Sequence, residues 1–324
     1  MAVTTYLEAI RQAIWEEMEA DESVFVLGED VGVYGGAFKV TAGMLDHFGS
    51  QRIIDTPISE SAIVGAAIGA SYMGMRPIAE MQFIDFISCG FDQITNFAAK
   101  SRYRWGAGVP IVVRGPSGGN THGGPFHSQN VESFFLNTPG LKIVQPSTAY
   151  DAKGLLKAAI RDEDPVLYFE HKYLYRRIKE DLPEEDFTVP IGKAAVRREG
   201  SDLGIITYGA TVYTALEAAE KLSGDGVETH VLDLRSILPM DDEAIMETVQ
   251  KTNKVIVLHE ACLTGGAGGE IVARIVENAF DFLDGPVLRV AAQDSPVPYS
   301  PPLEQFFLPQ VEDVLTAARK LLDY

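Results

Sequence analysis

Ile53-Ile-Asp-Thr-Pro-Ile-Ser-Glu60, with the Ala- and Gly-rich run that follows to about Met73, holds a complete strand-to-helix transition. Ile53-Ile54 is a short apolar strand. Asp55-Thr56-Pro57 ends it, because proline lacks the N–H that a strand ladder needs. Ser59 then caps a helix whose first turn carries Glu60, an acidic residue suited to the positive end of the helix dipole. Gly65, Ala66, Ala67, Gly69 and Ala70 leave one helix face nearly bare of side chains, so another backbone or another subunit is expected to pack on it.

The same alternation extends outward in both directions. Toward the N-terminus, Thr4 and Thr5 are caps for a helix with Leu7, Ile10, Ile14 and Met18 on one face, and Val24 to Leu27 is a buried strand leading into Gly28-Glu-Asp-Val-Gly32. Toward the C-terminus, Ile78 to Phe83 is a strand and Phe86 to Lys100 a helix. Strands at 111–113, 142–144 and 166–169 enclose a helix over 151–161. Arg176 to Gly200 is charged and carries Pro183 and Pro190, as a linker would. Beyond it, strands at 203–207, 229–232, 255–258 and 287–291 alternate with helices at 212–222, 242–251, 269–280 and 311–322. Strands alternating with helices imply parallel sheets with right-handed crossovers. The expected fold is α/β, two doubly wound domains, divided into residues 1–190 and 191–324.

Composition narrows the function. With 46 acidic and 27 basic residues, the formal charge of −19 repels phosphate backbones and anionic lipid, so neither nucleic acid nor membrane is an expected partner. Two readings of the acidic surface stand, attraction of a basic protein and simple solubility. Cys89 and Cys262 form no Cys-x-x-Cys pair, so zinc, iron–sulfur and dithiol chemistry lack ligands. Met1 to Arg11 carries no basic-then-apolar leader, the apolar stretch from Ala62 to Met75 is too short to span a bilayer, and the cytoplasm is the expected location.

Three segments could carry chemistry. Glu60 is either a helix-start residue or a carboxyl that burial keeps protonated, able to donate a hydrogen bond to a ring nitrogen. Gly118 to Gln129 is a glycine-rich loop ending in His127-Ser-Gln, and three readings remain open. It can place His127 in an active site as an acid–base or anion partner, hold a metal between His122 and His127, or form a glycine turn with exposed histidines. Gly224-Asp225-Gly226 with Asn253 imitates a diphosphate–magnesium motif. It follows a helix instead of a strand, so its glycines are expected to terminate that helix. Gly265-Gly-Ala-Gly-Gly269 lacks the dinucleotide-binding register and is expected to be a flexible turn.

The chain as a whole resembles the β subunits of 2-oxo acid dehydrogenase E1 components. The resemblance rests on Gly28-Glu-Asp-Val-Gly, Arg52-Ile-Ile-Asp-Thr-Pro-Ile-Ser-Glu60, Arg76-Pro-Ile-Ala-Glu-Met-Gln-Phe, His127-Ser-Gln, Pro139-Gly-Leu-Lys, Tyr150-Asp-Ala-Lys-Gly-Leu-Leu, Ala159-Ile-Arg-Asp-Glu-Asp-Pro and Val231-Leu-Asp-Leu-Arg. It implies a transketolase-like pyrimidine-binding domain followed by a transketolase C-terminal domain. It also implies an α2β2 assembly with an E1 α subunit, an E2 lipoyl acyltransferase partner, and thiamin diphosphate shared with the α chain, which would hold the diphosphate and Mg2+.

Matched by position, the resemblance implies that Glu60 hydrogen-bonds the pyrimidine N1′ and that Phe86 packs on that ring with Gln82 and Ile58 beside it. It gives His127 contact with substrate and a part in acylating lipoyl-lysine. Ile111, Ala159, Ile160, Asp162 and Asp164 resemble a potassium site built mostly of backbone oxygens. The loop from Gly118 to Phe126 is not shared in detail, so His122 receives no role. The branched-chain type is preferred on Glu80-Met-Gln-Phe, Arg102-Tyr-Arg and His259-Glu-Ala-Cys-Leu-Thr-Gly-Gly, with the pyruvate type next and the acetoin type third. A non-catalytic subunit that only docks E2 is the rival from another class.

Overall fold

The computed structural model describes residues 3–324, so Met1 and Ala2 of the N-terminal reading lie outside it. The chain forms two compact units. The first is built from the chain up to Ser117 together with Phe134–Ile191, and the second from Gly118–Ser133 and Gly192–Tyr324. The segment carrying His127 therefore belongs with the C-terminal half of the chain.

In the first unit, β1 (Val24–Gly28), β2 (Ile53–Asp55), β3 (Arg76–Glu80), β4 (Val112–Ser117), β5 (Lys142–Val144) and β6 (Val166–His171) form a parallel sheet in the order β5-β6-β4-β3-β1-β2. Most of its strands are buried nearly throughout, as strands covered on both faces by helices must be. Helix α1 (Tyr6–Ala20) starts at Thr5, whose hydroxyl accepts from the Glu8 N–H while the Glu8 carboxylate accepts from the Thr5 N–H. Its buried face, Tyr6, Ile10, Ile14 and Met18 among others, packs on α3 (Ala149–Arg161). Each of those large side chains, fully removed from water, contributes about 1.5–3 kcal/mol. Glu17, buried on the same face, accepts from Arg161 at 2.7 Å.

Two expectations need correction here. Ser59 does precede α2 (Glu60–Tyr72), but among the described residues its side chain makes no capping hydrogen bond. The single helix expected over 86–100 is broken into a 3-10 turn (Ile84–Gly90), a π turn (Gln93–Ala98) and a short α-helix (Ser101–Trp105). The winding changes after Gly90 while Phe91 and Asp92 keep right-handed helical angles, and Gly90 lies so close to α2 that a Cβ there would stand 3.0 Å from Val64.

In the second unit, β7 (Ala195–Arg198), β8 (Leu203–Thr207), β9 (Thr229–Asp233), β10 (Val255–Cys262) and β11 (Leu288–Ala292) are ordered β11-β10-β8-β9-β7, parallel except for β7. Helices α4 (Thr211–Gly224), α5 (Asp242–Thr252), α6 (Ala267–Ala279), α7 (Pro301–Phe307) and α8 (Val311–Leu322) complete it. Leu203, Ile205, Leu222, Ile256, Leu258 and Leu321 meet in its core. Gly224 and Asp225 end α4, and Asn253 is the left-handed C-cap of α5, so the Gly-Asp-Gly…Asn pattern lies on two helix ends. No helix among the described residues is long and apolar enough to cross a membrane.

Candidate active site

The C-terminal ends of β1, β2 and β3 bring acidic side chains together in the first unit. After β1, Gly28 passes so close to β3 that a Cβ would lie 2.7 Å from the Glu80 carbonyl oxygen. The loop beyond it is pinned by Asp55, whose carboxylate accepts from the Gly32 N–H at 2.5 Å and the Val33 N–H at 3.2 Å. Gln82 donates to Asp30 at 3.0 Å. Glu29 is 7% exposed, and its Oε1 has no hydrogen-bond partner among the described residues. Burial, and then the neighbouring Glu60 and Asp30 carboxylates, push the Glu29 carboxyl up from its ordinary value. Ligands of open α/β sheets bind at this end of the strands.

Behind this rim lies a buried ion cluster. Arg114 on β4 pairs with Glu80 on β3 and with Glu170 on β6, donating to Glu170 Oε2 at 2.6 Å; Tyr175 donates to the same oxygen at 2.6 Å. Burial works against the Arg114 charge, but the Glu170 and Glu80 carboxylates outweigh it and hold the guanidinium well above its ordinary value. The cluster thus locks three strand ends in register.

The second unit presents the excursion from Gly118 to Ser133. Its neck is closed by the Gly118 N–H donating to the Gln129 carbonyl at 3.0 Å. Gly124, at φ +69°, adopts a left-handed turn against the Tyr299 ring, where a Cβ would lie 2.3 Å away. His122 donates from its backbone to Glu304 at 3.2 Å and pairs with the same carboxylate through Nδ1 at 2.7 Å. His127 is half-buried.

Comparison with known proteins now decides the family. The transketolase pyrimidine-binding domain matches residues 3–177 and the transketolase C-terminal domain residues 192–314. The chain is 54% identical to the 2-oxoisovalerate dehydrogenase subunit beta of Bacillus subtilis, over the whole of both chains. It is 45% identical to the pyruvate dehydrogenase E1 component subunit beta of the same organism, again over the whole of both. The chain belongs to the E1 β subunits of 2-oxo acid dehydrogenases. Among solved structures, a split-gene transketolase in an inactive β4 tetramer shares the fold at TM-score 0.79 and 22% identity, covering 99% of each chain. The transketolase of Leishmania mexicana does so at TM-score 0.72 and 17% identity, with all of this chain spanning 46% of that one.

Within this E1 β chain, Ile58 follows β2 and is 81% exposed. Glu60 opens α2, while Gln82 and Phe86 follow β3; all three are half-buried. These four residues thus lie on the segments just beyond β2 and β3, the two strands that flank β1 in the sheet. Burial raises the Glu29 carboxyl, as it does that of Glu80 behind it; Glu29 stood in the sequence only as part of Gly28-Glu-Asp-Val-Gly at the end of a buried strand, with no role attached. The small residues of α2 divide: Ala67 is buried and Gly65 lies against Gln93, while Ala66 and Gly69 are exposed, with nothing among the described residues within 4 Å of a Cβ built on Gly69.

His122 and His127 form no metal site with a third ligand, and no group of three His, Cys, Asp or Glu side chains among the described residues could hold an ion. Ile111, Ala159, Ile160, Asp162 and Asp164 lie around the turn from α3 into β6. There Arg76 donates to the Ile160 and Asp162 carbonyls at 3.1 and 2.9 Å, Lys142 pairs with Asp162 at 2.6 Å, and Arg102 with Asp164 at 2.6 Å. The Ile111 carbonyl accepts from the Val166 N–H at 3.0 Å. A carbonyl oxygen has two lone pairs, so one hydrogen bond does not by itself bar it from a monovalent cation, although the Arg76 guanidinium already meets two of them. Sequence reasoning missed Glu132, Glu260 and Glu304 altogether, because an acidic residue buried by a distant segment leaves no local pattern.

Proposed function

We propose that this chain, with an α subunit in an α2β2 assembly, forms a thiamin-diphosphate-dependent E1 that decarboxylates a branched-chain 2-oxo acid and acylates the lipoyl group of E2. The observation that carries the cofactor reading is the Glu29–Glu60 pair at the strand ends. Leaving a buried carboxyl oxygen without a partner is costly, and a bound heterocycle with ring and amino nitrogens would complete it. The exposed small residues Ala66 and Gly69, on the helix that Glu60 opens, support close approach of a second subunit there. The helix-end position of Gly224-Asp225-Gly226 supports a diphosphate site, with Mg2+, supplied by the α chain.

When bound, thiamin diphosphate supplies the electron sink for loss of carbon dioxide. Glu60 holds a proton at the pyrimidine N1′. Glu29 retains its own proton to higher pH than an ordinary glutamate, which limits the negative charge gathered beside Glu60. Phe86 offers a flat apolar surface to the ring, Gln82 is oriented by Asp30, and Ile58 covers the edge. His127 contacts substrate and serves acyl transfer to lipoyl. A potassium ion would be held by backbone carbonyls of the α3–β6 turn, and the complex works in the cytoplasm.

The identity of 54% to the 2-oxoisovalerate enzyme, against 45% to the pyruvate enzyme, favours a branched substrate. The test uses the native complex purified through this chain and supplied with thiamin diphosphate and Mg2+. Decarboxylation of 3-methyl-2-oxobutanoate should exceed that of pyruvate. The reverse preference moves the assignment to pyruvate, and turnover of neither overturns both.

A further inference from the structure

Glu260 stands at the end of β10 in the second unit, 8% exposed, next to the buried His259. One of its carboxylate oxygens, Oε1, accepts from the Gly119 N–H at 2.7 Å and from Asn130 Nδ2 at 2.8 Å. Gly119 and Asn130 are the two stems of the excursion that carries His127. A single oxygen thus bridges both stems, alongside the Gly118–Gln129 backbone bond that closes the neck. Further along, Glu132 accepts from the Tyr208 hydroxyl at 2.8 Å, and the Tyr208 ring lies parallel to that of His259. Gly119, Asn130 and Glu132 all belong to the excursion, and Glu260 and Tyr208 to the strand ends beneath it.

We propose that Glu260 is a positioning residue for His127, fixing the neck of the Gly118–Ser133 excursion so that the imidazole is held in register for acyl transfer to the lipoyl group. The inference rests on the role given to His127 above. Asn130 is three residues from His127, and Gln129 only two. Loss of the Glu260 bridge opens the neck next to the histidine while leaving its chemistry intact. Charge is not what the bridge requires. Both donors meet one oxygen, and an amide oxygen in the same place can accept both.

The test uses the assembled E1 with its α subunit, thiamin diphosphate and Mg2+. Decarboxylation is followed with an artificial electron acceptor, and acyl transfer with the lipoyl domain of E2. Misplacing a catalytic group by about 1 Å costs on the order of a hundredfold. Glu260→Ala should therefore lower kcat for lipoyl acylation by roughly 10- to 100-fold, much more than it lowers decarboxylation. Glu260→Gln should restore most of the loss, and Glu260→Asp, one methylene too short to reach both stems, should not.

Placed on His127→Ala, Glu260→Ala should add no further loss, because both changes act through one group. Equal loss of both activities together with loss of assembly, failure of Glu260→Gln to rescue, or additive losses in the double variant would each overturn the proposal. Normal acylation by His127→Ala alone would instead overturn the role of His127 on which it rests.

Discussion

Glu132 gives a stability prediction with a defined sign. It is wholly buried, its Oε1 accepts from Tyr208 at 2.8 Å, and its Oε2 has no partner among the described residues. Burial pushes its carboxyl from 4.5 to about 7, with Glu260 adding to the rise and the Tyr208 hydrogen bond opposing it. The folded chain therefore holds a proton that the unfolded chain has released. Stability falls as pH rises from the unfolded value and levels off above the folded one. At about 1.4 kcal/mol per pKa unit, the wild type should lose roughly 2–3 kcal/mol between pH 5 and pH 8 through this one group. Glu132→Gln keeps an oxygen for Tyr208 and cannot ionise. The assay is urea unfolding of wild type and Glu132→Gln across that range, taking the difference between them so that all other titrating groups cancel. The variant should gain on the wild type steadily up to about pH 7 and then hold its advantage. Parallel profiles, within about 0.5 kcal/mol at every pH, would show that Glu132 ionises normally and would refute the account of its burial. Tyr208→Phe should move the wild-type slope to higher pH, since the hydrogen bond it removes favours the charged form.

Other outcomes follow from the geometry of the first unit and from the proposed chemistry. Arg114→Ala leaves Glu80 and Glu170 buried without their cation and should destabilise the chain by about 3–5 kcal/mol in denaturant unfolding; a loss below about 1 kcal/mol would mean that water reaches the cluster. In the assembled enzyme, Glu60→Ala should abolish proton exchange at the thiazolium C2 of thiamin diphosphate without dispersing the subunits, and exchange at the wild-type rate would remove Glu60 from the mechanism. The isolated chain, with its Gly-Asp-Gly on a helix end, should bind thiamin diphosphate weakly by calorimetry whether or not Mg2+ is present; tight Mg2+-dependent binding without a partner would contradict the reading. Replacing K+ with Na+ should lower the thermal midpoint of the complex, and an unchanged midpoint would leave the α3–β6 turn to Arg76, Arg102 and Lys142.

What the sequence made legible was whatever has a short-range cause. The β1, β2 and β6 strands are apolar runs ended by Gly, Asp or His, and α8 matches its expected bounds because its apolar stripe repeats at helical spacing over twelve residues. Thr5 was readable as a cap because its partner Glu8 is three positions away. The segment after Phe83 was read as one helix because its apolar residues fit that spacing; the changes of winding along it, from 3-10 to π, leave no mark in that pattern.

The acidic groups divide along the same line. Glu60 could be singled out because it occupies a helix start, a place with a local signature, yet that signature alone could not separate a capping residue from a catalytic one. Glu29 shows what was missing. Its perturbation comes from burial and from Glu60, which reaches it only after two strands have paired, so it exists in the folded chain and nowhere in the order of residues. The same holds more strongly for Glu260, whose two donors are 141 and 130 positions away. A loop such as Gly118–Ser133, rich in glycine and short of apolar anchors, cannot be held by its own side chains. Its order must come from polar groups on the strands below, and one buried side-chain oxygen that accepts from both stems supplies it, since its two lone pairs satisfy two donors at once.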